Sequence, residues 1–224
     1  MRAAVLSAAR MSTARIKICG VNTPAALDAA VRHRADYLGF VFFAKSPRNL
    51  ALRDAAALGA RLSGRASAVG LFVDADDTTI AEAASAARLG AIQLHGKESP
   101  ERVAALRGQL GLPVWKAVSV SSLADIDAAA RYAGAADLVL FDAKAPKGAD
   151  LPGGLGLLFD WTLLAGYRAP FAWGLAGGLS PDNVAEAIRV TGAPLVDVSS
   201  GVESAPGVKD EGRIAAFASA VRAA

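Results

Sequence analysis

The feature that most limits what this chain can fold into is a repeated alternation. From Arg15 onward, short apolar runs alternate with alanine-rich helical stretches, eight times in succession. The runs are RIKICG (15–20), DYLGFVFF (36–43), SAVGLFV (67–73), AIQLH (91–95), PVWKAVS (113–119), DLVLFD (137–142), PFAWGL (170–175) and PLVDVS (194–199). Their shortness, their bounding Gly, Pro and Asp residues and their β-branched or aromatic content read as strands. Between them, TPAALDAAVRHR (23–34), SPERVAALRGQL (99–110) and SPDNVAEAIRV (180–190) open on a Thr or Ser cap with a proline in the first turn, which marks a helix start.

Strands joined by helical crossovers run parallel. Eight such units without a dividing linker predict an α/β fold, a single (β/α)8 TIM barrel over residues 15–224. An open doubly wound sheet is the rival, but CGVNTP after the first strand does not fit the G-x-G-x-x-G turn of the dinucleotide-binding sheets.

Composition removes several function classes. The 53% of hydrophobic residues is inflated by 52 alanines, yet enough Leu, Val, Ile and Phe remain for a sizeable core. The net charge of +3 is spread among interleaved acids and bases, with no basic run that suggests nucleic acid. It is equally compatible with a small anionic substrate. A single cysteine excludes an internal disulfide and fits a reducing cytoplasm. Residues 1–14, MRAAVLSAARMSTA, form no signal-peptide core because Arg10 interrupts the apolar stretch. They read as an N-terminal extension, with Met11 as an alternative start. No apolar run approaches the roughly 18 residues that a membrane span needs. The expectation is a cytoplasmic protein, monomer or homodimer, with neither membrane nor nucleic acid as partner.

The active site of such a barrel lies at the C-terminal ends of its strands, and the polar residues gather there. Cys19 ends the first strand; Lys45, Ser46 and Arg48 follow the second; Asp74, His95 and Asp142 end the third, fourth and sixth. Gly177 and Gly178 follow the seventh, and Ser199, Ser200 and Gly201 the eighth. Small polar loops in those last two positions favour a phosphate over ordinary tight turns. Asp142 follows LVLF, so its carboxyl stands at the rim of a dry core, where desolvation suits a general acid. Arg48 offers a planar fork for a carboxylate. Asp197, between apolar neighbours, points into the barrel and needs hydrogen bonds there. His95 and Asp197 are given supporting roles. One cysteine and two histidines do not make a metal cluster.

KICG (17–20), GFVFFAKSPRNL (39–50), VGLFVD (69–74), IQLHG (92–96), FD (141–142), LAGGL (175–179) and VDVSSGVE with a following PG and KD (196–210) occur in that order. Together they resemble the phosphoribosylanthranilate isomerase family of tryptophan biosynthesis. The resemblance implies an Amadori rearrangement of a phosphorylated aminoaldose to an aminoketose. It further implies Cys19 as general base, Asp142 as general acid, Arg48 near the anthranilate carboxylate, and Gly177, Gly178, Ser199, Ser200 and Gly201 at the phosphate. No cofactor is implied, since the substrate's own imine supplies the electron sink. Lys17, two residues before Cys19, has two equally good uses: favouring a thiolate, or pairing with Asp197. A sugar-phosphate epimerase and a catalytically silent metabolite-binding barrel are the rival readings. One stretch departs from the family pattern. GGLGLLFDW (153–161) carries Leu155 and Leu157 where a hydroxyl and a lysine are usual.

Overall fold

The computed structural model describes residues 14–144 and 153–224; the expected extension at the N-terminus lies, but for Ala14, outside the described residues. Eight parallel strands close into a barrel in chain order: β1 (Arg15–Cys19), β2 (Tyr37–Phe42), β3 (Ser67–Phe72), β4 (Ala91–Leu94), β5 (Val114–Val120), β6 (Leu138–Ala143), β7 (Trp173–Leu175) and β8 (Leu195–Val198). Closure pairs β1 with β8, Lys17 standing opposite Asp197. The helices are α1 (Pro24–Arg32), α2 (Leu52–Leu62), α3 (Asp77–Ala86), α4 (Pro100–Leu110), α5 (Leu123–Ala128), α6 (Val184–Thr191) and α7 (Glu211–Ala223).

Helix starts follow their caps. Thr23 accepts a hydrogen bond from the Ala26 N–H at 3.2 Å, with Pro24 in the first turn of α1. Ser99 does the same for Arg102 at the head of α4. Replacing Thr23 by alanine is expected to lower unfolding free energy by about 1 kcal/mol, which a urea titration reads directly.

The alternation of side chains along each strand divides the core in two. One face packs under the helices, where Ile16, Ile18, Leu38, Phe40, Ile92 and Leu94 join the main cluster. The other fills the barrel: Val69, Trp115, Leu138, Leu140 and Leu195 form one interior cluster, and Cys19, Val41 and Leu71 another.

The structure corrects the sequence pattern at four places. The eighth helix is missing among the described residues: after β6 there is only a 3-10 turn, Trp161–Leu164. The stretch before it holds Gly153, Gly154 and Gly156, which disfavour helix. α6 begins at Val184 rather than beside Ser180, because Asn183 turns its side chain back on the preceding backbone. Its Oδ1 accepts from the Ser180 N–H at 2.8 Å and its Nδ2 donates to the Gly178 carbonyl at 3.0 Å. β7 spans only Trp173–Leu175 of the 170–175 run, which starts at a proline without an amide to give the ladder. Finally, a small antiparallel hairpin follows β8, β9 (Glu203–Ala205) and β10 (Val208–Lys209), turning at Pro206 and Gly207.

Candidate active site

The C-terminal ends of the strands surround a cavity open to solvent, whose wall includes Cys19, Arg48, His95, Asp142, Asp197 and Ser199. Gly177, Gly178 and Ser200 also line it, as do Gly153, Gly154, Leu155 and Leu157. Gly201 stands at the contiguous outer mouth. Two residues from the same stretches are not brought in. Lys45 is exposed outside the cavity wall, and Asp74 takes a left-handed turn and caps the Lys97 N–H with Oδ1.

Cys19 is the last residue of β1, 6% exposed. Burial pushes its thiol above the usual range; the Lys17 ammonium beside it pulls the other way, Asp197 pushes it up again, and Lys209 opposes. Lys17 is fully buried and bonds Asp197 Oδ2 at 2.8 Å. Burial alone would lower its pKa, but Asp197 and Cys19 carry it above the ordinary lysine value. Thus both uses foreseen for Lys17 are open to it at once. Burial likewise pushes the Asp197 carboxyl up, against Lys17.

Asp142 is the last polar residue of β6, buried beside the terminal Ala143. Its Oδ1 accepts from the Ala143 N–H at 2.8 Å, and its Oδ2 lies 3.1 Å from His95 Nε2, ion-pair range without hydrogen-bond alignment. The backbone closes tightly over this pair. A Cβ on Gly153 would sit 2.6 Å from Asp142 Oδ2 and 2.9 Å from His95 Nε2. Gly177 adopts φ +82°, a conformation that glycine takes without strain, and a Cβ added there would lie 2.9 Å from Asp142 Oδ1. Among the described residues four buried side-chain polar atoms, Gln93 Oε1, His95 Nε2, Asp197 Oδ1 and Trp161 Nε1, have no hydrogen-bond partner. The first three belong to side chains of the cavity wall, so they are positioned to be satisfied by something that enters it.

Arg48 differs from the expected open fork. Its Nε and Nη2 are already held by Glu203 Oε1 and Oε2, each at 2.7 Å, a bidentate pair. Its Nη1 lies near Gly154 and retains donors for a ligand. Glu203 also accepts from Lys209 Nζ at 2.6 Å and from the Gly207 N–H at 3.2 Å. Lys209 in turn donates to the Ser199 carbonyl at 3.0 Å, and Ser199 Oγ to the Cys19 carbonyl at 3.1 Å. The hairpin therefore ties the loop after β8 to both Arg48 and the end of β1. Glu203, Lys209 and Gln93 were not singled out from sequence. The Pro206–Gly207 turn and the position of Gln93, two residues before His95 on one strand face, were the available signals.

After Ser199 the chain enters a 3-10 turn, Ser200–Val202, whose first N–H groups lack partners within the turn. Gly201 packs so closely on the Leu179 carbonyl, 1.9 Å from a hypothetical Cβ, that only glycine lets the loops after β7 and β8 meet. Among the described residues, no group of three or more His, Cys, Asp or Glu is placed to hold a metal ion, and no helix is long and apolar enough to cross a membrane.

The family model described as N-(5'phosphoribosyl)anthranilate (PRA) isomerase matches residues 16–220. The chain belongs to this isomerase family. A relative from Paramagnetospirillum magneticum, named N-(5'-phosphoribosyl)anthranilate isomerase, is 54% identical over 207 residues, 92% of this chain and 96% of the relative. One from Rhodospirillum rubrum with the same name is 53% identical, over 95% and 99% of the two chains. The crystal structure of the Thermotoga maritima phosphoribosyl anthranilate isomerase superposes with a TM-score of 0.81 at 38% identity, covering 91% of this chain and 96% of that one. The family assignment and the barrel read from sequence both hold.

Proposed function

We propose that this chain isomerises N-(5-phosphoribosyl)anthranilate to 1-(2-carboxyphenylamino)-1-deoxyribulose 5-phosphate by acid and base catalysis from Asp142 and Cys19. The observation that carries the reading is that a thiol from β1 and a carboxyl from β6 open on one cavity, whose wall also holds a buried arginine and the loops after β7 and β8. Asp142 gives its proton to the ring oxygen of the sugar, the bond from that oxygen to the nitrogen-bearing carbon breaks, and a cationic imine forms. The imine acidifies the neighbouring C–H. Cys19, as thiolate, takes that proton to leave an enolamine, which tautomerises to the aminoketone. The imine is the electron sink, so no cofactor or metal enters the scheme.

Arg48 Nη1 meets the anthranilate carboxylate, with Glu203 fixing the guanidinium. Gly177, Gly178, Ser199, Ser200 and Gly201 take the phosphate on backbone N–H groups and hydroxyls. His95 and Asp197 play supporting parts, the free Asp197 Oδ1 accepting from a substrate N–H or O–H. Leu155 and Leu157, both partly exposed on the cavity wall, act as an apolar cover that excludes water and sets substrate affinity rather than chemistry. The reading is of a monomer or a homodimer working in the cytoplasm, in keeping with a single cysteine and the absence among the described residues of a helix long and apolar enough to cross a membrane.

The test is turnover of freshly formed phosphoribosylanthranilate, followed by loss of its anthranilate fluorescence. Steady loss with the folded protein is expected; a folded protein that leaves the signal unchanged overturns the assignment. Arg48→Ala is expected to raise KM about 10- to 100-fold, the worth of a charged hydrogen bond, with a smaller change in kcat. Steady-state kinetics in the same assay separate the two.

A further inference from the structure

Lys17 is wholly enclosed in the barrel, 0% exposed, and the scheme above gives it no task. A buried ammonium is costly unless its surroundings compensate it. One of its protons goes to Asp197 Oδ2. Cys19 follows two residues later on β1 and so faces the same side. Opposite Cys19 in register stands Gly39 of β2. A Cβ there would lie 2.9 Å from Cys19 Sγ and 3.1 Å from Lys17 Nζ. Both atoms therefore crowd the space that a side chain of β2 would fill. They lie within about 6 Å of each other, the range over which opposite charges govern ionisation.

We propose that Lys17 is the positioning residue for the thiol: its ammonium, anchored by Asp197, is the counter-ion of the Cys19 thiolate, and Gly39 keeps the space between them clear. Lys17 holds its proton throughout. When Cys19 takes a proton from substrate, the thiol becomes neutral and the lysine charge remains balanced by Asp197. The charged groups bearing on Cys19 are Lys17 from its own strand, Asp197 from β8 and Lys209 from β10. Asp142 and His95 stand beyond, acting on Asp197. β2 contributes no charge at this point, only the glycine. The inference rests on the proposed base only for its catalytic consequence; the ionisation of the thiol is measurable by itself.

The chain has one cysteine, so thiolate absorbance and iodoacetamide alkylation report on Cys19 alone. Titrated against pH, Lys17→Met is expected to move the thiolate midpoint upward by about 1 to 3 pH units, and alkylation at neutral pH is expected to fall about tenfold or more. Lys17→Arg, which keeps the charge, is expected to restore much of the shift. The acid limb of the kcat profile moves with the midpoint. If Lys17→Met does not fold, Lys17→Met/Asp197→Asn removes both charges of the pair, and the midpoint is still expected to rise because Lys17 acts on Cys19 more strongly than Asp197 does. A folded variant of either kind with an unmoved or lowered midpoint overturns the proposal. Failure of the base assignment looks different: turnover then survives Cys19→Ala while the thiol midpoint still answers to Lys17.

Discussion

Cys19→Ala is expected to lower kcat by about 10²- to 10⁴-fold, the usual worth of a positioned general base, while the protein stays folded. The change removes one sulfur from a small interior cluster with Val41 and Leu71, so the barrel loses little packing. KM should change little, because Arg48 and the loops after β7 and β8 are untouched. The wild-type pH profile carries the same assignment. Burial holds the thiol above its ordinary range despite Lys17, and the base works only when deprotonated. Turnover should therefore climb as pH rises through that elevated ionisation, an acid limb that Cys19→Ala abolishes. Near-normal kcat in the alanine variant would take Cys19 out of the mechanism.

Asp142→Asn is the second large effect, again about 10²- to 10⁴-fold in kcat. The amide has nearly the shape of the carboxyl, and its oxygen can still accept from the Ala143 N–H, so the end of β6 is preserved. What is lost is the proton that opens the sugar ring. The variant should bind the phosphorylated aminoketose with nearly unchanged affinity, as calorimetry would show. Substantial turnover by Asp142→Asn would place the acid elsewhere, with His95, 3.1 Å away, the first residue to examine.

Local signals carried much of this molecule. β1 to β6 were legible because short apolar runs with turn residues at each end have few other uses, and α1 and α4 because Thr23-Pro24 and Ser99-Pro100 are start signals that need no tertiary context. Cys19 and Asp142 stood out by falling at strand ends in a fold whose chemistry gathers there, although their roles came from the family resemblance. Glu203 and Lys209 were harder. They act through Arg48, 155 residues from Glu203, and sit on a hairpin too short for any periodicity to show. Asn183 misled in the opposite way: the Ser-Pro pair before it looks like a helix start, but its side chain captures the Ser180 N–H and delays the helix by a turn.

The seam where the barrel closes is also where its chemistry is assembled. Lys17 meets Asp197 and Cys19 meets Ser199 across the junction of the first strand with the last, 180 residues apart. During synthesis, β1 leaves the ribosome with a lysine in its interior face that stays unpaired until β8 arrives. The N-terminal strand thus has a built-in reason to remain open while the chain grows, and a fragment that stops short of β8 carries the thiol without the groups that hold it. For this barrel the pairing that closes the sheet is the same one that completes the surroundings of the thiol.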